Sequence, residues 1–352
     1  MGLLDNLRTG FGTYYRAPAS PFAPYPNHLE KIIWNDIIGE GHQGPPTRSD
    51  AMRVPAIVRG RGLIVTTIAR SPLIAERNGE VLDPQPLWID RTDAGMSAFH
   101  RMLWTADDLL FYGWSLWKVK RDFDGAVIQA ARVPIQDWDF DKDGAVTIVD
   151  KPVSSRDVIL IPGIHEGILE FGGDTIRQAR GLLATAERAA TNPTAMVELH
   201  QTNEHPMTTE DVDQLIKRWS AARRGENGGV AFTSSGIETK EHGAALEHLV
   251  IEGRAASSID CARILGIPAM MIDANPSGSS LSYSNTASRM NVLISFGIAP
   301  IMAAITSRLA LDDMLPRGTR IRFDTNDIVA TLIDEEELER ANGRQSPLAS
   351  NP

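Results

Sequence analysis

The sequence predicts an α+β protein, and three observations carry the prediction. Apolar residues recur at helical spacing in several long segments, near 54–70, 96–112, 174–191, 244–265 and 286–309. Short alternating segments separated by Asn-Gly and Asp-Gly pairs fill the first half of the chain. Between two of the long helices lies a compact strand–helix–strand pattern with its own turn signals.

The elements follow in order. Residues 1–50 are rich in Pro, Gly and Tyr, and Ala17 through Pro26 reads as extended and irregular, with a short helix expected near Glu30–Ile38. Pro55 suits a first helical turn; Ile57, Val58, Ile64, Val65 and Ile68 then recur until Ser71-Pro72 closes the helix. A strand at Leu73–Arg77 meets Asn78-Gly79, a hairpin turn. A helix over 96–112 carries Met102, Leu103, Leu109 and Leu110. After it, strands are expected at Ser115–Arg121, Ala126–Ala131, Trp138–Phe140 and Val146–Val149, with turns at Asp124-Gly125 and Asp143-Gly144.

Asp174 is placed to cap a helix with an apolar seam at Ile176, Ala179, Leu183, Ala186 and Ala190, ended by Asn192-Pro193. Then come a strand at Val197–Gln201, a capping box at Thr208 and Asp211 before an apolar face of Val212, Leu215, Ile216 and Trp219, and a strand at Val230–Thr233. A helix from about Ala244 to Leu265 shows Leu246, Leu249, Val250, Gly253 and Ala256 on one side. Asn275-Pro276-Ser277-Gly278-Ser279-Ser280 reads as a flexible loop. The helix after it, Thr286–Leu309, contains Gly297 and Pro300, which predict a kink. A strand at Arg320–Phe323 precedes a polar tail.

Composition narrows the function. The chain has 352 residues, 42% hydrophobic and 23% charged, enough for a real core and against wholesale disorder. A formal net charge of −10 argues against a tight grip on DNA, which usually calls for a basic face. The single cysteine, Cys261, has no CxxC partner and cannot form an intramolecular disulfide, so neither an oxidising compartment nor a zinc site is indicated. The start lacks a signal-peptide pattern, and Asn6 stands where a myristoylation motif wants Ser or Thr. The apolar stretch Met290–Ala304 is broken by Asn291, Ser295, Gly297 and Pro300, so no membrane span is expected and the reading is a soluble intracellular protein.

No catalytic motif survives inspection. The sequence holds neither a G-x-x-x-x-G-K-[ST] phosphate loop nor a G-x-S-x-G elbow. His165-Glu166 opens like a zinc protease motif, but Leu169 replaces its second histidine. Ser115-Leu116-Trp117-Lys118 fits S-x-x-K without a K-T-G partner. Asp139, Asp141 and Asp143 with Gly144 and Asp150 fit a calcium-loop spacing. Pro134 and Pro152 nevertheless bracket the segment where flanking helices would have to stand, so a β-hairpin with an Asp-Gly turn is the better reading. The histidines are scattered without ligand spacing, and Cys261 reads as a packed small residue. No catalytic residue, cofactor or metal is assigned. Lys217, Arg218, Arg223 and Arg224 could meet DNA phosphates or an acidic partner, but beside Glu210, Asp211 and Asp213 a solvated helix face is favoured.

Five phrases in a fixed order resemble the portal protein family of long-tailed bacteriophages. They are Met52–Arg59 through Thr67-Ile68-Ala69-Arg70-Ser71-Pro72-Leu73; Leu110-Phe111-Tyr112-Gly113-Trp114-Ser115; Val133-Pro134-Ile135; Asp157–Gly163 followed by Gly172; and Ile259-Asp260-Cys261-Ala262-Arg263-Ile264-Leu265-Gly266-Ile267-Pro268. The resemblance covers about residues 50–330. It implies an N-terminal arm (1–50), a wing (51–173), stem helices (174–196 and 245–269) around a small clip (197–244), a tunnel loop (270–285), a kinked helix returning to the wing (286–330) and a tail (331–352). With little sequence after Ile328, a crown is expected to be absent or minimal.

The resemblance further implies a homo-oligomeric, dodecameric ring at one capsid vertex, in the virion and, during assembly, in the host cytoplasm. Its expected partners are the terminase large subunit, the head–tail adaptor, the major capsid protein and double-stranded DNA passing through without sequence specificity. On this reading the chain is not an enzyme. The alternative is another structural virion protein, an adaptor or capsid component.

Overall fold

A computed structural model describes residues 45–93, 95–141, 144–191, 196–203, 207–223, 236–242, 247–272 and 290–326. The chain divides into two compact units. Unit 1 comprises Met1–Ile176 with Ile259–Pro352, and unit 2 comprises Arg177–Ser258.

Unit 1 opens with a short helix, α1 (Arg48–Ala51), capped by Thr47. Helix α2 (Pro55–Arg70) has Pro55 in its first turn and ends at Ser71, whose backbone is extended ahead of Pro72. Ile57, Ile64, Val65 and Ile68 of α2 are fully buried, as the spacing predicts, whereas Val58, expected in the same stripe, is exposed. β1 (Leu73–Arg77) turns at Asn78-Gly79 into β2 (Glu80–Val81), and β11 (Thr319–Phe323) pairs antiparallel on the other side of β1, Leu73 opposite Phe323. The chain's two ends of unit 1 thus meet in one small sheet.

Helix α3 (Ala98–Tyr112) is capped by Ser97, which accepts from the His100 N–H, and stops at Gly113 in the left-handed region, φ 75°. A Cβ at Gly113 would also strike the His165 carbonyl and lie 2.7 Å from the Glu166 carbonyl carbon. Both the turn and the close approach therefore require glycine. β3 (Trp114–Arg121) is the centre of an antiparallel sheet between β4 (Val127–Val133) and β8 (Val158–Pro162). β5 (Trp138–Phe140), β6 (Val146–Ile148) and β7 (Lys151–Pro152) form a third antiparallel sheet. Leu116, Val133, Trp138, Val146, Val158 and Leu160 join the last two sheets in one apolar cluster.

The helical stretch Met290–Leu309 of unit 1 contains a π-helical turn, Leu293–Ile298, followed by the last described helix, α8 (Ala299–Leu309). The expected kink positions, Gly297 and Pro300, flank the change from π to α geometry, and a Cβ at Gly297 would lie 2.8 Å from Ile267. By length and composition this helix could cross a membrane, with mean hydropathy 1.7, contrary to the expectation drawn from its interruptions. Its apolar residues have another use. Leu293, Ile298, Ile301, Ile305 and Leu309 are buried, and Arg308, also buried, binds Asp313 and the Leu160 carbonyl. These contacts are those of a helix packed into the core of unit 1.

Ahead of unit 2 stands a short helix, α4 (Ile168–Phe171), which the sequence did not signal. α5 (Gly173–Thr191) then begins at Gly173, so Asp174 lies inside the first turn instead of capping it; a carboxylate there still favours the positive helix end. β9 (Met196–Gln201) pairs antiparallel with β10 (Ile237–His242), Gln201 opposite Ile237. Between them in sequence lies α6 (Thr209–Arg223), started by the expected Thr208–Asp211 box: the Asp211 N–H donates to Thr208 Oγ1 and the hydroxyl donates to the Asp211 carboxylate at 2.7 Å. α7 (Glu247–Ile264) follows. Gly253 of α7 faces Leu182 of α5, with room for a Cβ only 3.2 Å from its Cδ2, while Ala256, expected on the same apolar side, is exposed. The expected elements at Glu30–Ile38 and Val230–Thr233 and the tail at 331–352 lie outside the described residues.

Candidate functional site

The residues tested for chemistry resolve into structural roles. Ser115 is buried and donates to Asp108 at 2.9 Å, while Lys118, three positions on in the same strand, is exposed on the opposite face. The S-x-x-K match therefore brings no base to the serine. Asp139 and Asp141 belong to a β-hairpin: Trp138 pairs with Ile148, Asp139 with Thr147 and Phe140 with Val146, and the Asp141 carboxylate accepts from the Ala145 N–H inside the turn. Strands stand where a calcium loop needs helices; Asp143 lies outside the described residues. His165 is half-buried, accepts at Nδ1 from the Gly167 N–H and packs edge-on to Phe171; burial holds its pKa below the usual histidine value. Cys261 is fully buried. Among the described residues no group of three His, Cys, Asp or Glu side chains could hold a metal.

Sequence reasoning missed a buried polar network on α3. Arg101, 1% exposed, donates to the carbonyls of Trp88, Ile89 and Ala130 and lies 4.6 Å from the Trp117 ring. Burial lowers its pKa to about 10. Trp117 in turn donates to Thr105. Asp107 binds both Arg48 and Arg61, at 2.8 and 2.6 Å, and Asp108 binds Arg132. The only signal in the sequence is an Arg and an Asp-Asp pair inside an apolar helical stripe. The network locks α1, α2, α3 and β4 together.

Two kinds of surface remain, and the first is in unit 2. α6 displays Lys217 and Arg218, both exposed, on a helix that also exposes Glu210, Asp211 and Asp213. Arg223 ends the helix, its side chain outside the description, and Arg224 lies outside the described residues. The four basic residues are therefore not shown as one patch. Leu199, Ile237, Leu215, Ile216 and Trp219 line an apolar groove of about 320 Å³ between the two-stranded sheet and α6. The loop Asn275-Pro276-Ser277-Gly278-Ser279-Ser280 lies outside the described residues. In unit 1 a second, aromatic groove of about 410 Å³ opens beside Pro45. No sequence pattern pointed to it, because four separate segments build it.

Compared with known families, the sequence matches the model of the phage portal protein family over residues 55–346. Among solved structures it is similar to an HK97 family phage portal protein from Corynebacterium diphtheriae, with 38% identity and a TM-score of 0.71 over 82% of this chain and 98% of that one. It shares its fold, at 16% identity, with a chain of the neck of an empty gene transfer agent particle (TM-score 0.61, 91% of this chain and 95% of that one). A chain of the native gene transfer agent virion is similar at the same identity (TM-score 0.58, 92% and 97%). No curated protein matches the sequence.

Proposed function

We propose that this chain, which belongs to the phage portal protein family, is the subunit of a closed, dodecameric ring at one capsid vertex through which DNA is packaged and later ejected. One observation carries the ring reading. In unit 2 the buried apolar side chains among the described residues are Ala179 and Ala222 alone, while Val212, Ile216 and Ile251 are 39%, 51% and 66% exposed. Unit 2 thus leaves three large aliphatic side chains of α6 and α7 to water, apolar surface whose burial would be favourable. Packing against neighbouring copies supplies the missing apolar burial.

In this proposal α5 and α7 are the stem helices, the segment between them is the clip, and residues 270–285 are the tunnel loop. The clip meets the terminase large subunit during packaging and the head–tail adaptor afterwards, with Lys217 and Arg218 available to an acidic partner. The wing borders the major capsid protein. The subunit assembles in the host cytoplasm and stays in the virion.

The ring's part in DNA movement is passive. The motor hydrolyses ATP, and the portal guides the duplex. A channel rich in phosphate contacts would bind DNA tightly and in a salt-sensitive way, stalling translocation. The formal charge of −10 favours a channel along which DNA slides. Electron microscopy of the purified full chain viewed end-on tests the reading: a closed ring with an open centre and about twelve subunits is expected for this family, and a monomer or a solid assembly overturns it.

A further inference from the structure

The aromatic groove of unit 1 lies where the described chain begins. Pro45 and Pro46 form part of its lining, and Phe111, Trp114, Trp138 and Phe140 form its apolar surface. Trp114 and Trp138 each meet Phe140 edge-on, with ring centroids 5.7 and 5.5 Å apart, so the rings brace one another. Trp114 and Phe140 remain partly open to solvent. Asp139, Glu166 and Glu170 bring three carboxylates to the lining, against one guanidinium, Arg48, which Asp107 already holds at 2.8 Å. The groove is therefore aromatic with an acidic bias.

The chain that leads into it has the matching chemistry. Between Gly12 and Asn27 the only charged residue is Arg16, and Pro18, Pro21, Pro24 and Pro26 crowd the stretch after it. Prolines three apart share one edge of a polyproline II helix, and Phe22 and Tyr25, also three apart, share another. Such segments dock in aromatic-lined grooves because they are already extended and lose little entropy on binding.

We propose that residues 16–26 dock in polyproline II form in the Trp114–Trp138–Phe140 groove of the same copy, with Arg16 toward its carboxylates. Residues 27–44 form the tether back to Pro45. A tether of that length holds the segment at an effective concentration on the order of millimolar, which favours the same copy over a neighbour. The inference is independent of the ring and of DNA passage.

Disulfide trapping in the full chain tests it. Cys261 is buried and is the chain's single cysteine, so a Phe22→Cys, Gln136→Cys double variant carries one accessible pair. Oxidation is expected to link the pair within one chain, leaving a monomer band on a non-reducing denaturing gel with both new thiols lost. No link, or links only between chains, overturns the proposal. Hydrogen exchange gives a second readout on the wild type and on a Pro18→Ser, Pro21→Ser, Pro24→Ser variant. Amides of 136–141 are expected to exchange at least about fivefold faster in the variant, while Thr319–Phe323 is unchanged. Equal rates at 136–141 overturn it.

Discussion

Arg132 grips Asp108 with two parallel hydrogen bonds, Nε to Oδ2 at 2.8 Å and Nη2 to Oδ1 at 2.6 Å. The Ser115 hydroxyl adds a third bond to the same carboxylate. Burial nevertheless outweighs these partners and pushes the Asp108 pKa up to about 6 from 3.8. An acid with a raised folded pKa binds its proton more tightly in the folded state. Its contribution to stability is therefore full below pH 3.8 and is lost as pH rises through 6. A displacement of that size is worth about 3 kcal/mol. Asp108→Asn removes this titration. The destabilisation that it causes, measured by urea unfolding, is expected to be larger at pH 4.5 than at pH 7. A penalty independent of pH would refute the assignment.

Gly113 and Gly125 both have positive φ, 75° and 88°, but a Cβ meets packed backbone at the first and nothing within 4 Å at the second. Gly125→Ala should cost about 1 kcal/mol, the strain of a left-handed alanine. Gly113→Ala pays that strain and must also displace the backbone at His165 and Glu166. Its cost should exceed about 3 kcal/mol. Thermal unfolding of the two variants side by side gives the comparison.

The local half of this fold was legible. Pro55 and Ser71-Pro72 bound α2, Asn78-Gly79 turns β1 into β2, and Thr208 with Asp211 starts α6, because each signal acts within a few residues. The long-range half was not. β8 is a short apolar run whose strand character comes from pairing with β3, and β10 is charged along much of its length and is a strand because β9 lies beside it. The extra residue that makes Leu293–Ile298 a π-turn leaves no periodicity mark strong enough to read beside Gly297 and Pro300. The aromatic groove failed for the same reason: Trp114 and Trp138 are far apart in sequence and met only through the sheets. The portal resemblance reached residues 50–330 because ordered phrases survive where periodicity is ambiguous.

Arg101 is the test of whether the α3 network is structural. Arg101→Met keeps most of the side-chain volume but strips three buried carbonyls of their donor. The expected loss is about 3–5 kcal/mol of unfolding free energy, as for other buried charge-assisted contacts broken on one side. The Trp117 ring loses its cation neighbour, so tryptophan emission of the folded protein should change as well. A loss under about 1 kcal/mol would mean that water replaces the guanidinium.

The passive-channel proposal puts the Ser/Gly-rich loop against the duplex. Deleting Ser277–Ser280 should leave rings intact, because the loop would contribute to guiding and retaining DNA and not to contacts between subunits. Packaging efficiency or retention of packaged DNA, measured as nuclease-protected genome per particle, should fall. Full packaging by normal rings would remove the loop from the mechanism.

Ile251 separates ring contacts from folding. It stands 66% exposed on α7. A single exposed isoleucine is ordinary, but in a unit that also exposes Val212 and Ile216 it is the most exposed of the three and has most to gain from a neighbour. Ile251→Glu adds a charge where the isolated subunit has water, so the monomer's melting temperature should move by no more than about 2 °C. Where a neighbouring copy covers the position, the same charge is desolvated at a cost of several kcal/mol at every interface of the ring. Sedimentation velocity should then show monomers in place of rings. Rings that persist would place Ile251 on an outer, wetted surface, and a subunit that unfolds would show that the side chain is covered within its own copy.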